Sequence, residues 1–277
     1  MSLDAPVAVK FRRMSFNLEA QQLPKHWYAD SPGLSHFFSA LSAVFPDGEK
    51  YFIDSVRAYE DAIQDPELRQ RVREFVRQEG HHTHHHRLFN QCLQAQGVSM
   101  DRCAGIAQKI LDRSRKEDPP LVQLALTTAF EHFTAMMGDW LLRQTQPCGD
   151  MHPAAHPLWV WHAVEETEHK AVAFDVYTVA GGDYWTRVRA MIRVTRIFIP
   201  RIHQMQCILL AEDPAPLRLR DLARCMRYLY GRGGFMRSMI PNYLRYFRRD
   251  FHPWQDDNSH LIAAWQDTVQ RSIAPAA

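Results

Sequence analysis

The sequence lacks the features that mark membrane-spanning, secreted and zinc-ribbon proteins. No run of eighteen uncharged apolar residues occurs among its 277 positions, which argues against a plain transmembrane helix. The first fourteen residues, MSLDAPVAVKFRRM, contain no apolar core of a signal peptide. The five cysteines are scattered and form no Cys-x-x-Cys pair, which argues against a disulfide framework or a structural zinc site. We therefore expect a cytoplasmic protein.

Lysine is absent between Asp183 and Asp250, although this stretch is strongly basic. It carries 14 arginines against five acidic residues, a net charge of +9, whereas the rest of the chain has a net charge of −7. The small overall charge of +2 therefore conceals two parts of opposite sign. We expect residues 1–181 to form a metal-binding bundle with an N-terminal segment, and residues 182–277 to form an Arg-rich helical extension packed on it.

Residues 158–180 combine an apolar environment with a row of side chains that bind metals. His162, Glu166 and His169 lie at i, i+4 and i+7, within about 60° of one another on a helix. Tryptophans and valines surround them, so this helix is predicted to be largely buried. Buried carboxylates and imidazoles need partners. Moreover, Glu-x-x-His is the inward-facing unit that dimetal helical bundles take from two of their helices.

Three further helices are predicted before this one. Breaks at Pro46, Asp65-Pro66, Gly97 and Pro120 set their limits. The predicted bounds are Asp47–Gln64 with Asp47 as N-cap, Pro66–Gln96 and Leu121–Gln144. Residues 34–44 are read as a separate short helix, residues 98–120 as a variable stretch and residues 147–157 as a loop.

The same ligand pattern occurs twice along these helices. In each hairpin a single Glu precedes a Glu-x-x-His unit, by 30 residues in the first and by 35 in the second. The six residues are Glu49, Glu79 and His82 in the first hairpin and Glu131, Glu166 and His169 in the second. Together they match the ligand set of a ferritin-like, carboxylate-bridged dimetal site. The helical pattern therefore predicts an all-α, ferritin-like four-helix bundle with additional C-terminal helices.

Helix geometry favours Glu49 over Glu60 as the first ligand. Glu49 lies 16 residues before the turn near Asp65, and Glu79 lies 14 residues after it. At about 1.5 Å per residue the two carboxylates reach nearly the same height, roughly 24 and 21 Å from the turn. Glu60 is far too close to the turn and is predicted to be a surface residue.

Other residues extend this predicted centre. His162 is a seventh candidate ligand, and His86 is either an additional ligand or a group that orients a Glu. Carboxylate and imidazole ligands without thiolate favour two iron ions, with manganese as an alternative. Thr134 and Gly138 lie on the helical face of Glu131, where small residues leave room for a ligand or allow two helices to pack closely.

The stretch Trp185–Leu210 alternates bulky apolar residues with five arginines. It predicts an amphipathic helix, broken near Pro200. One interpretation packs this helix on the bundle with its charged face in water. The others are peripheral contact with a membrane surface, or binding of a small, anionic or acyl-type substrate. No nucleic-acid-binding motif accompanies the arginines, so we expect no nucleic acid partner.

Four stretches carry a resemblance to a known family: FPDGEKYFIDSVR, FVRQEGHHTHHHRLFN, WHAVEETEHKAVAFDVY and YLRYFRRDFHPW. They resemble the bacterial family called predicted metal-dependent hydrolases, of the ferritin-like superfamily, from about Phe16 to Trp265. The ligand pattern is also similar to that of di-iron arylamine N-oxygenases, whose site has an additional histidine at the place of His162. The second resemblance covers the ligand helices only.

Three functions are compatible with this sequence. The first is a di-iron enzyme that activates O₂ to oxidise a small or acyl-type organic substrate, because four carboxylates stabilise high oxidation states of iron. It requires an electron donor, which the sequence does not identify. The second is a metal-dependent hydrolase that uses a metal-bridging water. The third is metal storage without catalysis. A homodimer is one expectation for the assembly.

Overall fold

The regular structure of the chain is helical wherever it is described. The computed structural model describes residues 6–16, 18, 23–144, 150–215 and 218–273; residues 1–5 of the N-terminal stretch, Cys148 and positions 147–149 of the predicted loop lie outside them. Within the described residues there is no strand, only an isolated β-bridge between Tyr28 and Met151. The all-α prediction is confirmed.

Eleven α-helices are present in this described part of the chain, together with two 3₁₀ turns at Glu60–Ala62 and Pro253–Gln255. The helices are α1 Pro32–Arg57, α2 Pro66–Ala95, α3 Met100–Glu117, α4 Pro120–Leu142, α5 His156–His169, α6 Val172–Val179, α7 Tyr184–Glu212, α8 Leu219–Tyr230, α9 Phe235–Ser238, α10 Ile240–Arg245 and α11 Ser259–Ile273. None of these helices combines the length and the apolar run that crossing a bilayer requires.

Two helical hairpins form the centre of the molecule. Helix α1 packs along α2, helix α4 packs along α5 and α6, and the two pairs contact each other through α1–α4, α2–α5 and α2–α6. This arrangement is compatible with a ferritin-like bundle. Helix α7, the first after the predicted boundary at residue 181, packs on α1 and α4. The division into two domains stays a prediction.

Helix α1 is longer than predicted and runs through Pro46 without a break. It begins at the N-cap Ser31, whose hydroxyl accepts from the backbone N–H of Leu34, so the predicted N-cap at Asp47 is wrong. A proline inside a helix removes the N–H that would bond to the carbonyl four residues earlier, here that of Ser42. The Asn90 side-chain amide replaces it, donating to the Ser42 carbonyl at 2.9 Å.

Residues 98–120 form helix α3 instead of a variable stretch. Its buried residues Met100, Cys103, Ala107 and Leu111 recur at the spacing of one helical face, and α3 packs against α1. This spacing is visible in the sequence, although charged residues separate its members. Burial of one apolar face therefore decides the structure of this segment.

Two further predicted boundaries are corrected. Helix α7 continues through Pro200, where no break occurs. Pro200 and Arg196 are both exposed, so solvent can bond to the Arg196 carbonyl that Pro200 leaves without a donor. Conversely, the predicted helix of residues 158–180 is divided after His169 into α5 and α6, and no glycine or proline marks this division.

Candidate metal centre

The seven residues predicted to bind metal lie together at the centre of the bundle. They come from α1, α2, α4 and α5, and each is at most 4% exposed. Their nitrogen and oxygen atoms form two groups, each with all atoms within 4.8 Å of one another. The first group is Glu49, His82 and His162; the second is Glu79, Glu131, Glu166 and His169. Their role as ligands stays a prediction.

Glu166 connects the two groups. Its Oε1 lies 2.8 Å from His162 Nε2 and 3.6 Å from His82 Nδ1, while its Oε2 lies 3.5 Å from His169 Nε2. Glu79 Oε1 also faces both groups, at 3.1 Å from His169 Nε2 and 3.9 Å from His82 Nδ1. The two Glu-x-x-His glutamates are therefore placed to bridge two ions, whereas Glu49 and Glu131 each belong to one side.

Many polar atoms in this cluster are buried without a hydrogen-bond partner. Among the described residues these atoms are Glu49 Oε1, both oxygens of Glu79 and of Glu131, Glu166 Oε2, His82 Nδ1 and His169 Nε2. An unsatisfied buried polar group costs about 1–3 kcal/mol, and more if it is charged. Cations between the two groups would satisfy these atoms together, so the residues fit a dimetal centre. Carboxylates and imidazoles are ligands suited to iron or manganese.

The electrostatics of the cluster also require positive charge. Burial, with the nearby Glu79 carboxylate, raises the pKa of Glu49 well above its ordinary value, and burial raises those of Glu79 and Glu131 as well. Burial acts in the same direction on Glu166, but His169 outweighs it and holds the Glu166 pKa well below its usual range. The His169 pKa is raised well above normal: burial opposes this shift, but Glu166 and Glu131 overcome it. Glu49, Glu79, Glu131 and His169 therefore hold protons more tightly than exposed side chains of the same types.

Two of the histidines are oriented by acceptors outside the cluster. His169 Nδ1 lies 2.9 Å from Gln78 Oε1, and His82 Nε2 lies 3.1 Å from Glu165 Oε2. A nitrogen facing such an acceptor carries a proton, so the other nitrogen of each ring is the one available to a metal ion. Ligand histidines in metal sites have this arrangement.

A chain of hydrogen bonds fixes the tautomer of His162. Because the Asn90 amide nitrogen donates to the Ser42 carbonyl, its Oδ1 must accept from the Ser42 hydroxyl, at 2.6 Å. Ser42 Oγ then accepts from His86 Nδ1 at 2.8 Å, and His86 Nε2 accepts from His162 Nδ1 at 2.6 Å. His162 Nδ1 therefore carries a proton, and Nε2, which lies 2.8 Å from Glu166 Oε1, is the nitrogen that faces the candidate metal centre. His86 belongs to neither group and orients a histidine rather than a Glu.

Comparison with known proteins agrees with a metal-dependent enzyme. The family described as predicted metal-dependent hydrolase matches residues 10–257, most of the chain. The chain belongs to this family. No curated protein and no solved structure matches it. Membership of the hydrolase family indicates metal dependence and hydrolysis, whereas iron and O₂ chemistry rest on the ligand pattern alone.

An N-terminal segment supports the metal centre of this hydrolase-family chain. Arg12 donates two hydrogen bonds to Glu168, at 2.8 and 2.5 Å, and lies 3.6 Å from Glu165. Gln78, which orients His169, also donates to Glu168. Burial and the Glu168 carboxylate raise the pKa of Glu165 to about 8. These supporting residues cannot be recognised in the sequence, because their residue types alone do not distinguish them from surface residues.

Two other histidines of α2, His84 and His85, and the glutamate Glu60 lie away from the centre. His84 is exposed, and His85 Nε2 faces the Met14 carbonyl and His81 rather than the centre. Glu60 is exposed in the turn after α1.

Two cavities reach the centre of the hydrolase-family fold. The larger encloses about 660 Å³ between α1, α3, α4 and α7, with the buried Glu49 and the exposed Arg201 in its lining. The smaller, about 440 Å³, is bordered by His162, Glu166, Thr134 and Gly138. Phe45 and Thr134 line both cavities.

Gly138 serves both roles considered for the small residues near Glu131. A Cβ at this position would lie 2.9 Å from the Ala163 carbonyl oxygen, so glycine allows α4 and α5 to approach closely. It also leaves space in the smaller cavity beside Glu166.

Proposed function

We propose that the chain is a dimetal-dependent hydrolase whose substrate has an apolar body. The position of Glu166, with one oxygen facing each group of candidate ligand atoms, is the main observation in favour of a dimetal centre. Two divalent ions in such a centre polarise a substrate oxygen and lower the pKa of a bound water. The family description supports hydrolysis as the reaction.

Each side chain has a distinct role in this proposal. Glu49, His82 and His162 would hold one ion and Glu131 and His169 the other, while Glu79 and Glu166 face both groups. Thr83 donates to Glu49 Oε2 at 2.8 Å, which fixes that carboxylate and leaves its Oε1 for the ion. The hydrogen bonds to Gln78, Glu165 and His86 hold the three imidazoles in the ligating tautomer.

The cavities supply the substrate specificity. Their linings are mainly phenylalanine, leucine, isoleucine and methionine side chains, which favour an apolar substrate and exclude water around the reacting bond. Exclusion of water strengthens the electrostatic interactions of the centre. The exposed Arg201 at the lining of the larger cavity is the group that would bind an anionic end of such a substrate.

Oxidation of an apolar substrate by O₂ is a second candidate, favoured by the donor set. Four glutamates with three histidines and no thiolate suit iron, and the same set of one Glu and one Glu-x-x-His per hairpin occurs in di-iron bundles. This chemistry would use the same centre and the same cavities. The two candidates differ in their need for a redox-active metal.

The decisive experiment compares metals and gases in one protein. Metal-free protein is reloaded with zinc, manganese or iron and assayed with p-nitrophenyl esters and phosphoesters under argon, while O₂ uptake of the reduced, iron-loaded form is followed by stopped-flow absorbance. Hydrolysis under argon with zinc or manganese, lost in Glu131→Gln and retained in His84→Ala, supports the proposal. O₂ consumption restricted to iron, without hydrolysis, favours the oxidase. Bound metal with neither reaction favours storage.

A further inference from the structure

Helix α8 has one wide apolar face, and only part of it is buried. Cys225 and Leu229 are buried on the side that faces α1, where Asp221 accepts a hydrogen bond from the Gly33 backbone at 3.0 Å and another from Ser31. This contact anchors α8 on the N-terminus of α1. The orientation of α8 is therefore set by specific contacts, and the exposed part of its apolar face is a defined surface of the protein.

The exposed part forms an apolar stripe next to the buried Cys225 and Leu229. Its members are Leu219, Leu222, Met226 and Tyr230, which are 84, 42, 49 and 38% exposed. At 100° per residue they lie within about 80° of one another along the full length of the helix. Scattered exposed apolar residues are ordinary, but a continuous stripe along one helix indicates a surface that binds something.

Arginines flank this stripe. Arg220, Arg224 and Arg227 lie on one flank, at about 80–140° from Leu219, and Arg218 lies on the other. Residues 218–245 contain seven arginines and one acidic residue, Asp221, which is already bound to α1. Among the described residues, Arg220 and Arg227 have no acidic side chain within ion-pair distance.

We propose that α8 docks this protein on an anionic lipid surface. An interfacial helix inserts its apolar residues at the boundary of headgroups and acyl chains, while its basic residues bind anionic headgroups, and α8 has both features side by side. A second copy of the chain fits less well. Symmetric pairing would bring two surfaces of the same positive charge together, without acidic residues to compensate.

The position of α8 also relates to the metal centre. The turn after Tyr230 leads directly into α9, whose Phe235 lines the smaller cavity together with His162 and Glu166. A lipid surface bound by α8 would therefore lie close to the segment that borders this cavity. Docking itself requires no metal, so its test is independent of the proposed hydrolysis.

The test is co-sedimentation of the full-length protein with vesicles of phosphatidylcholine alone or with 30% phosphatidylglycerol at low ionic strength. Two variants address the surface: Leu219→Ser/Leu222→Ser/Met226→Ser for the stripe and Arg220→Gln/Arg227→Gln for its charge. Each has a matched control at exposed positions elsewhere, Val179→Ser/Ile192→Ser and Arg73→Gln/Arg113→Gln. Circular dichroism verifies that all variants are folded.

The expected result is binding to the anionic vesicles only. The loss of two arginines should weaken partitioning by roughly 25-fold, about fivefold for each charge near the surface. The stripe variant should bind weakly or not at all, both controls should stay within twofold of wild type, and added salt should release the protein. Wild-type protein that does not bind anionic vesicles overturns the proposal. So does a wild-type dimer, seen by analytical ultracentrifugation, that the stripe variant converts to monomer without any lipid binding.

Discussion

His86 Nε2 lies 2.6 Å from His162 Nδ1, at the end of a hydrogen-bonded chain that begins at the backbone of α1. The chain passes through Ser42 and Asn90 and leaves only one consistent set of proton positions. Its effect is to place a proton on Nδ1 of His162 and to direct Nε2 to the candidate metal centre. Pro46 of α1 is thus connected, through Ser42, Asn90 and His86, to the nitrogen of His162 that faces the candidate metal centre.

The first prediction concerns His86. His86→Phe removes the acceptor of the His162 Nδ1 proton while keeping an aromatic ring of similar size, so His162 is free to adopt the other tautomer. Metal affinity should fall about 10–100-fold, as expected for loss of a group that orients a ligand. Chelator competition measures it, with His84→Ala as the control. Unchanged affinity in His86→Phe would show that the chain does not set the tautomer.

The second prediction tests whether the two groups of candidate ligands bind separate ions. Glu131 is close to His169 but not to the group of Glu49, His82 and His162. Glu131→Gln should therefore reduce bound metal from two ions per chain to about one, because the other ion keeps its own ligands. Metal analysis checks this result against Glu60→Gln, which changes an exposed glutamate. Two tightly bound ions in Glu131→Gln would remove Glu131 from the ligand set.

The clustering of the candidate ligand residues could be predicted from the sequence because helix geometry is local. The spacings of Glu79 to His82 and of Glu166 to His169 determine a shared face, and the hairpin turn at Asp65 determines their level. The supporting residues could not be predicted in the same way. Arg12 meets Glu168 across 156 positions of sequence, and nothing local indicates that contact.

Contacts between residues distant in sequence also explain the errors in the predicted helix boundaries. Pro46 ends a helix according to local rules, yet α1 continues because Asn90, on another helix, satisfies the Ser42 carbonyl. Tertiary contacts therefore override a local signal. The spacing of the apolar residues of α8 is visible in the sequence, but the sequence does not show which part of this face is buried on α1.

The third prediction tests by a double-mutant cycle whether the Asn90 amide compensates for the backbone N–H that Pro46 lacks. Asn90→Ala removes the donor to the Ser42 carbonyl, so the free energy of unfolding should fall by about 1–3 kcal/mol. Pro46→Ala restores a backbone N–H to the same carbonyl, so the loss caused by Asn90→Ala should be smaller in the Pro46→Ala background. Urea denaturation measures all four proteins. A coupling free energy near zero would mean that Asn90 does not compensate for Pro46.

The fourth prediction concerns pH. Glu49, Glu79 and Glu131 have raised pKa values in the metal-free protein, mainly through burial, and His169 has a raised pKa through its glutamate neighbours against the effect of burial. These groups retain protons at a higher pH than usual, and metal must displace them. Metal affinity should therefore rise with pH, and binding should release protons into a weakly buffered solution.

Isothermal titration calorimetry between pH 5.5 and 8 in buffers of different ionisation enthalpy measures the protons released. Glu131→Gln should release fewer protons than wild type, because one of the protonated carboxyl groups is gone. Affinity that stays constant across this pH range, with no proton release, would contradict the prediction that protons and metal compete for the centre.

The most direct measurement is anomalous diffraction from crystals of the metal-loaded protein, recorded on both sides of the metal absorption edge. Two peaks are expected about 3.5–4 Å apart, the usual separation in two-metal sites. One should lie among Glu49, His82 and His162, the other beside Glu131 and His169, with Glu166 between them. A single peak, or none at these residues in protein that analysis shows to contain metal, would contradict the dimetal centre.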